Sequence, residues 1–528
     1  MKMPLGLEVI LKKFYIKFMK SLLKIVSLCF LGLGCFAQSV TILPGGITPA
    51  MAGNIPSLSY DAIMALPSPG IGSLATDLTY KCLRFYDGKK WAKLLTNQDT
   101  DYAGVNAWSA GGSLGDMGQG IALDANGNIY LTGHFSGTAS FGNISHTSEG
   151  GTDIFFAKYN KAGVAQWVRK AGGLLSDTGN SVAVDNSGNV FVTGSFQGTA
   201  TFDNTSLIST GKEDIFIAKY SSIGTLEWVR KAGGVNEDIG VDLVTDASGN
   251  VYVTGNYEGG SIFGSKIVSG FGDSDVFIVK YSAEGDYTWV KTFGGQSTDN
   301  SKGIGIDASG AIYLTGNFKN TITIGNTSLT SKGGVDIFFS KYNNVNDTWV
   351  WAKQIGGTNN DYINDIAIDA QGSLWLGGGF QDIASFGSIS LESEGNYDIF
   401  LAQYNVNGNL LWVKRYGGER DEYIISLALD AQGNIYASGF FGGVINLGKT
   451  LLESFANNDM FFAKFKPNGM VEWAQSAGGV GEDYPTDVVV DPNGNMYVTG
   501  YFYDSIHFNN TSVVGAGAYD ILLLKLRD

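Results

Sequence analysis

Residues 157–173, AKYNKAGVAQWVRKAGG, return 61 residues later as AKYSSIGTLEWVRKAGG (218–234), with 11 of 17 positions unchanged. The phrase belongs to a longer unit. Paired glycines begin at 111, 172, 233, 294, 356, 417 and 478. An aspartate closes an apolar run at 124, 185, 246, 307, 369, 430 and 491, and a second opens a "DIFFAKY"-like run at 153, 214, 275, 336, 398, 459 and 520. Every step is 61, except one of 62 where YNNVNDTWVW (342–351) carries one extra residue. Self-similarity at a fixed period marks stacked supersecondary units, here in seven copies.

Within one copy, SVAVD (181–185) and NVFVTGSF (189–196) are short β-branched and aromatic runs joined by NSG, a hairpin. DIFIAKY (214–220) and LEWVRKA (226–232) form a second pair around a glycine turn. The variable segment between the pairs, QGTATFDNTSLISTGKE (197–213), predicts an extra small hairpin at the edge. The first two strands are apolar or small on both faces, as a sheet sandwiched between two others requires. Four-stranded sheets around an axis make a propeller, so the expected fold is all-β with seven blades. The repeats begin with a fourth-strand phrase, GVNAWSAGG (104–112), and end with a third-strand phrase, DILLLKLRD (520–528). The N-terminal strand is therefore expected to complete the last blade, which removes open edges. Trp108 lies two residues nearer its glycine pair than Trp167 does, a shift that keeps the same face. The tryptophans at 167, 228, 289, 351, 412 and 473 share one outer-strand position, where a large ring can wedge between neighbours.

Through "D-x-x-G-N-[IV]-[YF]-[VL]-T-G" and "D-[IV]-F-[IF]-A-K-Y" the chain resembles the bacterial β-propeller repeat family, the SBBP repeat, over about 103–528. The fifth and sixth copies depart from it, with WLGGG and YASGF in place of YVTG. The resemblance implies a secreted or surface-exposed propeller and no defined reaction. The phrase AKYNKAGVAQW is also similar to the tryptophan-docking repeat of quinoprotein dehydrogenases, but lacks their usual aspartate at Tyr159.

Lysines 12, 13, 17, 20 and 24 precede the apolar run IVSLCFLGLGCFA, which is too short to span a bilayer. Residues 1–37 therefore read as a signal peptide, with a start at Met19 as an alternative, and an exported protein at the cell surface or outside the cell follows. Losing that segment takes the formal charge from −15 to −20, a surface that repels nucleic acid and anionic lipid. Only Cys82 remains, so no intrachain disulfide forms. No later segment reads as a membrane span, and the domain is expected to be monomeric. Residues 38–102 stand outside the repeat: five of nine prolines lie between 44 and 69, and LRFYDGKKWAKL reads as a hairpin turning at Asp87-Gly88.

A residue present in every copy is most simply scaffold, because a ligand off the axis touches few blades. The DxxGN aspartates suit tight turns. The GGxxxD motif places Asp116, Asp177, Asp238, Asp299, Asp361 and Asp483, with Glu422 in the sixth copy, before each innermost strand. They are expected to ring one channel mouth, either holding their loops through backbone hydrogen bonds or capturing a cation such as Ca²⁺. His134, His146 and His507 occupy unrelated repeat positions and form no metal or catalytic triad. Acidic pairs Asp421/Glu422 and Glu482/Asp483 keep a glycoside-cleaving or lyase-type enzyme as the alternative. Positions that vary between copies point to binding. After the motif acid come Tyr362, Tyr423 and Tyr484 in the last three copies, and after the TG equivalent come Phe440 and Tyr501. The reading is a rigid binding or adhesion scaffold for a glycan or protein ligand at one propeller face. N-terminal sequencing of exported protein should find Gln38 or a near neighbour; a mature chain retaining Met19 overturns the export reading.

Overall fold

The computed structural model describes residues 106–508 and 511–527, together with six short strands between Val40 and Lys93. The signal segment 1–37 and the Asp87-Gly88 turn lie outside the described residues. The chain divides into two units, Met1–Tyr102 and Ala103–Asp528. In the first, Val40–Leu43 pairs antiparallel with Gly46–Pro49. Ser57–Leu58, Leu74–Asp77, Cys82–Tyr86 and Trp91–Lys93 form a four-stranded sheet. Arg84 faces Lys93 across its last antiparallel pair.

The second unit is an all-β, propeller-like fold of antiparallel sheets. In the second copy the strands are Thr178–Val184, Val190–Phe202, Thr205–Tyr220 and Leu226–Gly234, each paired with the next. Asp185 closes the first hairpin: its Oδ1 accepts the Ser187 and Asn189 N–H groups at 2.8 Å each, and its Oδ2 accepts Asn189 Nδ2 at 2.8 Å. Val190 to Phe196 are all buried, because the second strand packs on both faces. The core therefore lies between copies. One cluster joins Tyr130, Phe156 and Trp167 of the first copy to Val190, Phe196 and Phe216 of the second.

The variable segment is not a separate edge hairpin in the second copy. The two middle strands run on through a bulge at Gln197/Thr199, and the extension pairs with the preceding copy, Gly172 opposite Thr201. In the third and fifth copies the same extension is a distinct pair, Ser261–Phe263 with Lys266–Val268 and Ile383–Ser385 with Ser390–Glu392.

This junction explains the paired glycines. A Cβ on Gly173 would stand 1.9 Å from the Thr199 carbonyl oxygen, and one on Gly234 would stand 2.0 Å from that of Gly260. Two backbones approach too closely there for any side chain. The first glycine of each pair lies against a carboxylate: a Cβ on Gly172 (φ 153°) would meet Asp153 Oδ1 at 2.6 Å. Glycine and aspartate thus repeat together because one makes room for the other.

Tryptophan completes the joint. Trp228 Nε1 donates to the Ala283 carbonyl of the next copy at 3.1 Å, and its ring covers Gly285. Each innermost strand packs on the next along the chain, and Tyr484–Val490 packs on Asp116–Leu123. Thr511–Leu526 pairs with Asn106–Gly112, Leu523 opposite Trp108. Trp108 in turn lies on Gly163, as Trp167 lies on Gly224.

Gly173→Ala should destabilise by about 1–3 kcal/mol, the ordinary cost of forcing atoms into a filled site. Gly115→Ala, where a Cβ meets nothing within 4 Å, should stay within about 0.5 kcal/mol of the parent. Urea unfolding midpoints check both.

Candidate functional site

The seven motif acids Asp116, Asp177, Asp238, Asp299, Asp361, Glu422 and Asp483 are all fully buried, so they do not present a carboxylate ring to solvent at a channel mouth. Their oxygens are turned onto the backbone. Asp177 accepts Gly173 N–H at 2.9 Å through Oδ2 and Gln197 N–H at 2.9 Å through Oδ1. It thereby ties the glycine joint to the bulge beside it. Asp116 makes the same two bonds with Gly112 and Ser136, at 2.7 and 3.0 Å. Glu422 reaches Gly418 N–H at 3.0 Å despite its extra methylene. Burial lifts Asp116 to about 6, Asp177, Asp238, Asp299, Asp361 and Asp483 to about 7, and Glu422 to about 8, against the lowering effect of the N–H donors.

The five aromatic residues singled out in the sequence come together. Tyr423 faces Phe440, and Tyr484 faces Tyr501, across the first hairpins of the sixth and seventh copies. Ring centroids step from Tyr362 to Tyr397 (6.0 Å), Tyr423 (5.1 Å), Phe440 (5.2 Å), Tyr484 (5.0 Å) and Tyr501 (5.6 Å). Tyr519 (5.4 Å) and Tyr503 (5.5 Å) extend the file to eight rings. Seven are half-buried and Tyr503 is 43% exposed. Tyr423 fits because position 379 is glycine: a Cβ there would stand 2.4 Å from its Cδ1. Amides border the file. Asn458 Nδ2 donates to the Tyr484 hydroxyl at 2.9 Å, and Asn396 Nδ2 donates to Asp421 at 2.7 Å.

Sequence reasoning missed Tyr397, Tyr503 and Tyr519. Tyr397 and Tyr519 occupy the position before the "DIF" aspartate, where the other copies carry Thr152, Glu213, Ser274, Val335 and Asn458. A third variable column was thus available as a signal. Also missed was an inner belt four residues beyond each motif acid, at Gly120, Ser181, Asp242, Gly303, Asp365, Ser426 and Asp487. Asp242 takes Ser181 Oγ at 2.8 Å and Ile304 N–H at 3.0 Å. Asp487 takes Ile121 N–H at 2.9 Å, a bond between the last copy and the first.

The sequence model of the β-propeller repeat, SBBP, matches residues 166–195 and 472–501. The chain contains SBBP-type β-propeller repeats. It is similar to an uncharacterised WD repeat-containing protein of Acanthamoeba polyphaga mimivirus, 24% identical over 81% of this chain and 39% of that protein. It is 25% identical to the regulatory protein FlaEY of Caulobacter vibrioides over 30% of this chain and 17% of that one. The chain thus spans less than half the length of either relative. Among solved structures, the Neurospora crassa Pan2 WD40 domain aligns with a TM-score of 0.41 at 8% identity, over 78% of this chain and 89% of that one.

In these repeats neither acidic pair offers two solvent-facing carboxyls, since Glu422 and Asp483 are fully buried. Among the described residues no group of three or more His, Cys, Asp or Glu could hold a metal ion. His134 is held down to about 4 by burial, and His146 bonds the Val168 carbonyl at 3.2 Å. No helix among the described residues is long and apolar enough to cross a membrane. The raised acids set a pH dependence. Their protons stay bound in the folded chain above the pH at which the unfolded chain releases them. Stability against urea should therefore fall as pH rises from about 4 to about 8 and level off above. Unfolding free energies at pH 5 and pH 8 check this; a higher value at pH 8 overturns it.

Proposed function

We propose that the seven copies are the seven blades of a closed propeller that serves as a rigid binding scaffold, with the aromatic file as its ligand surface. Closure is supported by the strand Asn106–Gly112 on Thr511–Leu526, by Trp108 on Gly163, and by the Asp487–Ile121 bond. The binding reading is carried by one observation: eight rings in an unbroken file across copies five to seven. The first four copies carry no Phe, Tyr or Trp at the three corresponding positions, so folding alone does not demand them.

Half-buried rings give an apolar strip that sugar rings or a partner's side chains can cover. A net formal charge of −15, or −20 without residues 1–37, favours neutral or basic ligands over acidic polymers. The ligand class is a neutral glycan or a basic protein surface, met at the cell surface or outside the cell by an exported monomer. The carbohydrate-active enzyme reading is the weaker one, because the motif acids are spent on backbone donors.

The purified repeat unit should bind members of a neutral glycan and protein array saturably and without turnover. Tyr423→Ala/Tyr484→Ala should keep its melting temperature within a few degrees and lose affinity at least about 30-fold, at roughly 1–2 kcal/mol per ring. Binding equal to the parent overturns the site, and glycan cleavage by the parent overturns the scaffold. Deleting residues 103–112 should lower thermal stability or cause association through the exposed edge. An unchanged monomer with an unchanged melting point overturns closure.

A further inference from the structure

We propose that Asp365, Ser426 and Asp487 hold one proton in common, so that an acid–hydroxyl–carboxylate bridge ties three neighbouring inner strands. Ser426 Oγ lies 2.9 Å from Asp365 Oδ2 and 2.9 Å from Asp487 Oδ1. A serine hydroxyl has one hydrogen. It serves one carboxylate, and the second contact, equally short, takes its hydrogen from the carboxyl side. The oxygen's other lone pair is occupied by Val488 N–H at 3.2 Å. One carboxyl is then a neutral acid, the other an anion, and the hydroxyl links them.

The surroundings favour this state. Asp365 accepts Ile366 and Leu427 N–H at 2.7 Å each, and Asp487 accepts Ile121 N–H at 2.9 Å and Val488 N–H at 2.8 Å. These donors support one negative charge, while two facing anions repel. Asp242, on the inner strand of the third copy, raises both carboxyls through its charge, and the fourth copy's inner strand carries Lys302, which is exposed. The acids at the strand ends, Asp361, Glu422 and Asp483 before them and Asp369, Asp430 and Asp491 after, are bonded into their own turns. Both carboxyls are half-buried by area. Burial lifts Asp365 to about 8, with the charges of Asp487 and Asp242 adding to it, and lifts Asp487 to about 7, with the charge of Asp242 adding to it; carboxyls joined through one hydroxyl titrate as a unit.

The same strands carry the aromatic file. Tyr362, Tyr423 and Tyr484 stand three residues before Asp365, Ser426 and Asp487. Loss of the shared proton as pH rises sets two anions against each other on the strands that carry these tyrosines. If the file is the ligand surface proposed above, its geometry becomes pH-dependent; the proton itself does not rest on that reading.

The test is the pH slope of the unfolding free energy between pH 4 and 9, which counts protons taken up on folding. Between about pH 7 and 8, where the pair holds a single proton, the parent should take up about one more proton than Asp365→Asn or Asp487→Asn. Ser181→Ala, where one hydroxyl meets only Asp242, should match the parent. Unchanged slopes in both Asn variants overturn the proposal and leave a single hydrogen bifurcated between two anions. Hydrogen exchange of the parent gives a second readout that needs no variant. After correction for intrinsic rates, protection of 422–429 and 484–490 should drop at least about tenfold from pH 6 to pH 9, relative to 238–245. Equal loss in all three strands overturns the bridge. Failure of the glycan and protein array alone, with the proton count intact, would reject the ligand surface and not the bridge.

Discussion

Everything in the repeat unit depends on a contact between two backbones. At each glycine pair one copy comes within van der Waals distance of a carbonyl of the next, with no room for a Cβ. A buried carboxylate stands on either side of the first glycine, Asp153 and Asp177 in one case, and Asp177 accepts the second glycine's N–H. Close approach exposes backbone donors in a dry place, and a buried donor without an acceptor is costly. The motif acid supplies that acceptor. The tryptophan then covers the joint from the outer strand with a large apolar surface.

Such a joint makes the copies interchangeable as scaffold, and that is what frees other positions. The core belongs to pairs of copies, with one strand buried on both faces, so residues at the hairpin ends carry little of the packing. Polar side chains fill those ends in most of the first four copies; in the last three the ends are largely aromatic. The asymmetry is chemical, with the fold held constant beneath it. Function in a repeat protein of this kind is read from differences between copies, because identities between them are already explained.

The same separation accounts for the acids. Seven GGxxxD or GGxxxE motifs suggest a ring of charge about an axis when read as sequence, yet the motif acids are buried and turned toward backbone N–H groups. The inner belt is different. Its residues alternate among glycine, serine and aspartate, and its carboxylates take bonds from the neighbouring copy beside those from their own strand. Asp242 and Ser181 form a self-sufficient pair, whereas Ser426 stands between two carboxyls and is one hydrogen short.

By itself the sequence determined the repeat, its strands and its period, because strand alternation, turn glycines and the tryptophan position are local and recur. It also singled out Tyr362, Tyr423, Tyr484, Phe440 and Tyr501, since a residue that differs among equivalent positions is visible without coordinates. Only the tertiary structure decided which way the motif acids point: GGxxxD reads the same whether its carboxylate meets a channel or a backbone N–H. It also decided that Tyr397 and Tyr519 join the file and that Asp365, Ser426 and Asp487 meet. Those residues lie 61 positions or more apart in the belt and are brought within 2.9 Å only by packing of one inner strand on the next.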